Sequence, residues 1–200
     1  MTFQYVDPNV SRAKFDREIA EYRELAEQYR RRGWFLVHAE FPAVLVVLAT
    51  TKTKPAAVVM GVAFDYSNYD AAPPSVRIVN PFSGEPYKLK ELPSQLPRAV
   101  PQQEVVVPGP AAGKLMFEVA QPFMVAHDPD EIPFLCLAGV REYHEHPAHS
   151  GDVWELHRKT GAGRLVRLLE IVDRYGVAPI SGLNVQLVPQ VGFNYGPPPA

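Results

Sequence analysis

The stretches WFLVHAEF (34–41), AVLVVLATT (43–51), AAVVMGVAFDY (56–66) and SVRIV (75–79) decide the architecture of this chain. Each is rich in β-branched and aromatic residues, and each is bounded by Pro, Lys or Asn/Asp turn chemistry, as strands separated by tight connections are. Connections this short favour antiparallel neighbours, so Trp34 to Lys88 is expected to form an antiparallel meander of about four strands.

Outward from the meander, Val10 to Arg32 reads as an amphipathic N-terminal helix. Phe15, Ile19, Tyr22, Leu25, Ala26 and Tyr29 recur on one face, charges fill the other, and Gly33 stops it. Ser11 is its candidate cap, with Lys14 where a capping box places an acid. Ala162 to Tyr175 reads as a C-terminal helix. Leu165, Leu168, Leu169 and Val172 lie on one face, Arg164, Arg167, Glu170 and Asp173 on the other, and Gly176 closes it. Helix, meander and helix make the fold class α+β.

Between meander and second helix, residues 89–113 carry Pro93, Pro97, Pro101, Pro108 and Pro110. So many fixed φ angles and missing donors predict an extended, irregular connector. Phe117 to Ala126 reads as a short strand or extended segment, and Pro133 leads into the apolar run Phe134, Leu135, Cys136, Leu137. The expected organisation is an arm over 1–9, a single domain over 10–188 that includes the connector, and a flexible tail over 189–200.

Composition narrows the function. A formal charge of −2 offers no global attraction for phosphate backbones or anionic lipid, so neither nucleic acid nor membrane is an expected partner. The start MTFQYVDPNVSRAKF lacks an apolar h-region, and the run Phe41 to Thr50 is too short for a spanning helix of about 20 residues, so a cytoplasmic location is expected. A single cysteine makes no internal disulfide, which leaves Cys136 as a packed thiol, a metal ligand or a nucleophile.

Four of the six histidines fall between His144 and His157, and three lie in the hexapeptide HEHPAH (144–149). On an extended strand His144 and His146 would share a face, and Pro147 would turn His149 back toward them. With Cys136 and Glu142 they supply the thiolate, imidazole and carboxylate ligands that tetrahedral Zn²⁺ accepts. The spacing is neither CxxC nor HExxH, and a solvated polar loop has the same composition. A cationic histidine nearby would instead favour the Cys136 thiolate. His127, in Ala126-His127-Asp128-Pro129-Asp130, either folds over the thiol or sits in a surface turn. His38 reads as a strand histidine.

The order of parts resembles the ubiquitin-conjugating (UBC) fold. The segment FDYSNYDAAPPSVRI (64–78) looks like that family's "YP..PP" turn into a strand, Phe134-Leu135-Cys136-Leu137 looks like its catalytic "ICL", and Trp154 with the following helix matches its Trp and helix. More narrowly, Cys136, Glu142-Tyr143-His144-Glu145-His146-Pro147, His149, Gly151-Asp152 and Trp154 resemble a bacterial predicted metal-binding group with a Cys, Glu, His, His signature. Its genes accompany ubiquitin-like proteins, an activating enzyme and a JAB-type peptidase. The resemblance spans residues 10 to 180 and makes 142–152 a His-rich insertion. It departs from the conjugating family at Asp128, which stands where an Asn supports the oxyanion; an ionised carboxylate has no hydrogen to donate.

The resemblance implies a conjugating-type transferase in which Cys136 takes a ubiquitin-like C-terminus as a thioester, with His144, His146 or His127 moving protons and Asp128 at the oxyanion position. Its partners would be a ubiquitin-like protein and that protein's activating enzyme. The competing expectations are a Zn²⁺ site built from Cys136, Glu142, His144 and His149, with His146 as substitute, and a non-catalytic adaptor that binds a ubiquitin-like partner.

Overall fold

The structure, a computed structural model, describes residues 4–99, 103–107, 113–117 and 120–184. The first helix, α1 (Pro8–Glu24), starts two residues before its apolar spacing indicates. Asp7 caps it by accepting from the Asn9 N–H at 2.8 Å, and Pro8 enters the first turn with no donor to lose. Ser11, the expected cap, is buried within the helix. At Leu25 (φ −111°) the helix breaks, and α2 (Ala26–Arg31) follows as a separate short element. Gly33 then turns the chain with φ 90° and accepts from the Ala49 N–H at 2.8 Å. A Cβ on Gly33 would lie 2.1 Å from the Ala49 oxygen, so this turn requires glycine.

The expected meander is present. Strands β1 (Trp34–Glu40), β2 (Ala43–Thr50), β3 (Ala57–Asp65) and β4 (Ser75–Val79) form one antiparallel sheet in sequence order. Its register sets Leu48 opposite both Trp34 and Met60, and Val62 opposite Val46 and Ile78. Alternate residues therefore share a face. Val44, Val46, Leu48, Met60, Val62, Phe64, Val76 and Ile78 are buried in one cluster with Phe15, Ile19 and Tyr22 of α1. Each such side chain contributes about 1.5–3 kcal/mol by leaving water, which makes this cluster the main source of stability.

The stretch expected as an irregular connector is only partly so. It holds a 3₁₀ turn at Leu89–Glu91, then β5 (Pro97–Ala99), β6 (Gln103–Val107) and the start of β7 (Gly113–Phe117). β6 pairs with β7, and β5 pairs with β8 (Ala120–Pro122). Pro97 opens its strand and Pro93 precedes it, so neither takes a donor from inside a ladder, while Pro101, Pro108 and Pro110 lie outside the described residues. Two short strands, β9 (Met124–Val125) and β10 (Phe134–Leu135), then pair antiparallel and deliver the chain to Cys136.

The histidine stretch is not extended. It forms α3 (Arg141–Glu145) and a 3₁₀ turn (Pro147–His149), followed by α4 (Trp154–His157) and a second 3₁₀ turn (Arg158–Thr160). The C-terminal helix α5 (Leu165–Val172) buries Leu165, Leu168, Leu169 and Val172 in the core, as its spacing predicts. It begins later than expected because Gly161, at φ 75°, redirects the chain first. It ends in a π-helical turn, Asp173–Val177, that contains Gly176. Residues Tyr5 and Val6 of the expected arm donate to Asn68 Oδ1 at 2.7 and 3.0 Å, and the expected tail lies outside the described residues. Among the described residues no helix is long and apolar enough to cross a membrane.

Candidate functional site

The site hangs on two adjacent residues of α3. Arg141 is buried, and its guanidinium donates to the carbonyls of Pro73 (3.2 Å), Asp65 (3.2 Å) and Ser67 (2.6 Å) while facing the Asp65 carboxylate at 3.4 Å. Glu142 accepts from Ser75 Oγ and, at 3.4 Å, from the Val76 N–H, and it pairs with Arg77 at 3.2 Å. One side chain holds the helix to the end of β3 and the loop after it, the other to β4. Charge-assisted bonds in a half-dry setting are strong enough to fix a five-residue helix that has no intrinsic stability of its own.

Cys136 follows β10 directly, and its N–H donates to the Phe123 carbonyl at 2.8 Å. The chain then turns through Gly139, where a Cβ would meet the Ala162 oxygen at 2.1 Å; close approach here requires glycine. The thiol is half-buried. Its Sγ lies 3.5 Å from His149 Nε2, a sulfur–nitrogen contact at hydrogen-bond range. At Pro147 the chain turns: the His149 N–H donates to the His146 carbonyl at 2.9 Å, and the imidazole reaches the thiol rather than His144.

A second group of side chains surrounds His149. The Tyr143 ring stacks on it, with centroids 3.9 Å apart and planes 21° from parallel. The Tyr143 hydroxyl donates to Asp152 Oδ2 at 2.7 Å, and the other Asp152 oxygen meets His157 Nε2 at 2.6 Å. The Asp152 N–H donates to the His149 carbonyl at 2.9 Å, so backbone and side chain of Asp152 both bear on His149.

The remaining candidates are placed elsewhere. His144, on a helix rather than a strand, directs Nδ1 at the Asp152 carbonyl (2.7 Å) and Nε2 at the Ala138 carbonyl (2.8 Å). Both ring nitrogens thus face carbonyl oxygens of the backbone, and neither is presented to the thiol. His146 stacks between Phe134 and His127, at 5.0 and 5.7 Å, and its Nδ1 accepts from the Ala148 N–H at 3.3 Å. Asp128 is exposed and closes a turn by accepting from the Asp130 N–H at 2.7 Å. Exposed His127 is thus over His146 rather than over the thiol. His38 is an exposed residue of β1.

The expected zinc ligands do not form a common cage as placed. Both Glu142 oxygens are held by β4 and both His144 nitrogens face carbonyls, so of that set Cys136 and His149 alone meet. Among the described residues no three His, Cys, Asp or Glu side chains converge on a point that could hold a metal ion.

Burial pushes the Cys136 thiol above its ordinary range, and the cation of Arg98 on β5 draws it partly back. The raised value disfavours the thiolate, and a base in contact with the thiol would offset this. Burial, then the hydrogen bond to Asp152, pushes Tyr143 up to about 12, which keeps it a neutral phenol. Asp152 is held below the usual carboxylate range, first by its bond to His157 and then by Tyr143. A groove of about 740 Å³ between α1 and the 158–164 turn, lined by Arg17, Glu21, Arg158 and Arg164 among others, contains none of these residues.

Sequence reading assigned no role to Tyr143, Asp152, His157, Arg98 or Arg141. Tyr143, Asp152 and His157 lie within or next to the histidine stretch, and their polar density is the signal that points to them. Arg98 and Arg141 act through contacts with residues remote in sequence, and nothing local marks them.

Residues 6–180 match the family described as Y4jH-like, Y4jH family. The chain is 41% identical over 203 residues to an uncharacterized protein y4jH of Sinorhizobium fredii (strain NBRC 101917 / NGR234), across 98% of this chain and 97% of that one.

Proposed function

This chain belongs to the Y4jH-like family, and we propose that its site is a thiol acyl-transfer centre in which Cys136 accepts the C-terminal carbonyl of a ubiquitin-like protein. The observation that carries this reading is the 3.5 Å contact between Cys136 Sγ and His149 Nε2. A half-buried thiol with a raised pKa is a poor nucleophile by itself, and an imidazole at contact distance is the group that corrects this. The helix, meander, Cys at the end of a short strand, Trp and helix in that order support the donor class through their likeness to conjugating enzymes. A cytoplasmic setting, where thiols are kept reduced, suits such a centre.

In the first step His149 takes the thiol proton as sulfur attacks the thioester carbonyl carried by the activating enzyme, whose own formation consumes ATP. The new carbon–sulfur bond forms, the old one breaks, and the departing thiolate recovers a proton from His149. In the second step an acceptor amine attacks the Cys136 thioester, the carbon–sulfur bond breaks, an amide forms, and the Cys136 thiolate is reprotonated by the proton the amine releases. His149 replaces His144, His146 and His127 as the base in this scheme, because it alone among the described histidines touches the thiol.

Purified chain incubated with a bacterial ubiquitin-like protein, its activating enzyme and ATP should form an adduct that excess thiol releases and that Cys136→Ala abolishes. No adduct with an active activating enzyme overturns the reading. Stoichiometric zinc in the purified protein, lost in Cys136→Ala, replaces it with a metal centre.

A further inference from the structure

We propose that Tyr143 and Asp152 are positioning residues for His149, with the Tyr143 ring face serving as the surface on which the imidazole receives its proton. This rests on the reading of Cys136 as a nucleophile and adds the means by which its base is held. Four contacts carry it. Tyr143 and His149 lie face to face with centroids 3.9 Å apart, Asp152 accepts from the Tyr143 hydroxyl at 2.7 Å, His157 braces the second Asp152 oxygen at 2.6 Å, and the Asp152 N–H holds the His149 carbonyl at 2.9 Å.

The chemistry follows from the quadrupole of an aromatic ring, whose face is electron-rich. A cation over that face is attracted, and a neutral imidazole that becomes imidazolium during attack acquires this attraction at the moment it is needed. A phenol that donates to a carboxylate is more electron-rich than a free one, so Asp152 strengthens the face that His149 touches. Arg141 and Glu142 fix the helix that bears Tyr143, so the ring meets His149 at a set angle.

The probe is iodoacetamide, with alkylation of Cys136 followed by mass spectrometry at one neutral pH, on chains whose folding is checked by circular dichroism. His149→Gln should slow alkylation by about tenfold or more, at the lower end of what an acid–base partner contributes. Tyr143→Leu, which removes the aromatic face, should slow it by about 3- to 30-fold. Tyr143→Phe keeps the face and should restore most of the rate, with the residual deficit matched by Asp152→Asn. If Tyr143→Leu reacts at the wild-type rate while His149→Gln is slow, this proposal is overturned and the acyl-transfer reading stands. If His149→Gln also reacts at the wild-type rate, the Cys–His reading itself fails. Should Tyr143→Leu not fold, a wild-type rate in both Tyr143→Phe and Asp152→Asn overturns the role of the Asp152 bond.

Discussion

Glu18, buried on α1, accepts a hydrogen bond from the Leu165 N–H that opens α5, 3.1 Å away. The residue at the α5 cap position, Arg164, supplies no side-chain acceptor, so an acid from the other end of the chain does this work. Two helices that are far apart in sequence are thereby tied at one point.

Glu18 makes the stability pH-dependent in a definite direction. Burial raises its folded pKa above the ordinary value of 4.5, and the Leu165 N–H opposes this in part. The folded state then binds the Glu18 proton more tightly than the unfolded chain, so this group's contribution is favourable below about 4.5 and is lost as pH rises through the folded value. Glu18→Gln keeps an acceptor for Leu165 and removes the buried charge. It should match or exceed the wild type in urea denaturation at neutral pH, with the wild type gaining on it as the pH falls. Glu18→Ala should lose about 1–2 kcal/mol. Equal losses in the Gln and Ala variants at neutral pH would falsify the account.

Arg141→Met should cost about 2–4 kcal/mol, since it strands three carbonyls that the guanidinium satisfies and removes the tether of α3. Chemical denaturation measures the loss. An unchanged midpoint would mean that Glu142 alone docks the helix.

His144→Gln separates a structural histidine from a reacting one. With both ring nitrogens on carbonyls, His144 should matter for stability, at roughly 1–2 kcal/mol, and not for thiol chemistry. The folded variant should be alkylated at Cys136 at the wild-type rate; a tenfold drop would place His144 back among the proton-transfer groups.

Leu168→Ala should remove about 2–5 kcal/mol by opening a cavity where α5 meets the sheet. A thermal melt reads this directly, and a loss under about 1 kcal/mol would mean that the core collapses into the space.

The parts of the fold that follow a local rule were legible in the residues. The four strands announce themselves by β-branched runs between turn residues, and α5 by Leu165, Leu168, Leu169 and Val172. The break at Leu25 was not, because the apolar stripe continues across it from Tyr22 to Tyr29. Nor was β5, since Pro97, counted as a strand breaker, is its first residue. The concentration of chemistry after Cys136 was readable as composition. Which histidine meets the thiol was not, because that depends on α3, whose place is set by Arg141 and Glu142 through partners in β3, β4 and the loop between them. With His144 on a helix, the geometry expected of a strand no longer applies, and its neighbour across the turn, His149, occupies the position at sulfur.

The contacts among Tyr143, His149 and Asp152 close on themselves: ring on ring, carbonyl on N–H, hydroxyl on carboxylate. Every member lies within one short span of chain, and a loop of roughly ten residues closes in about 10–100 ns. If an incoming acyl carrier pushes the histidine aside, it need not wait for a slow domain movement to put it back. Under the proposed acyl transfer, the base would then be restored by contacts local to one segment of the chain, independent of how the rest of the molecule moves.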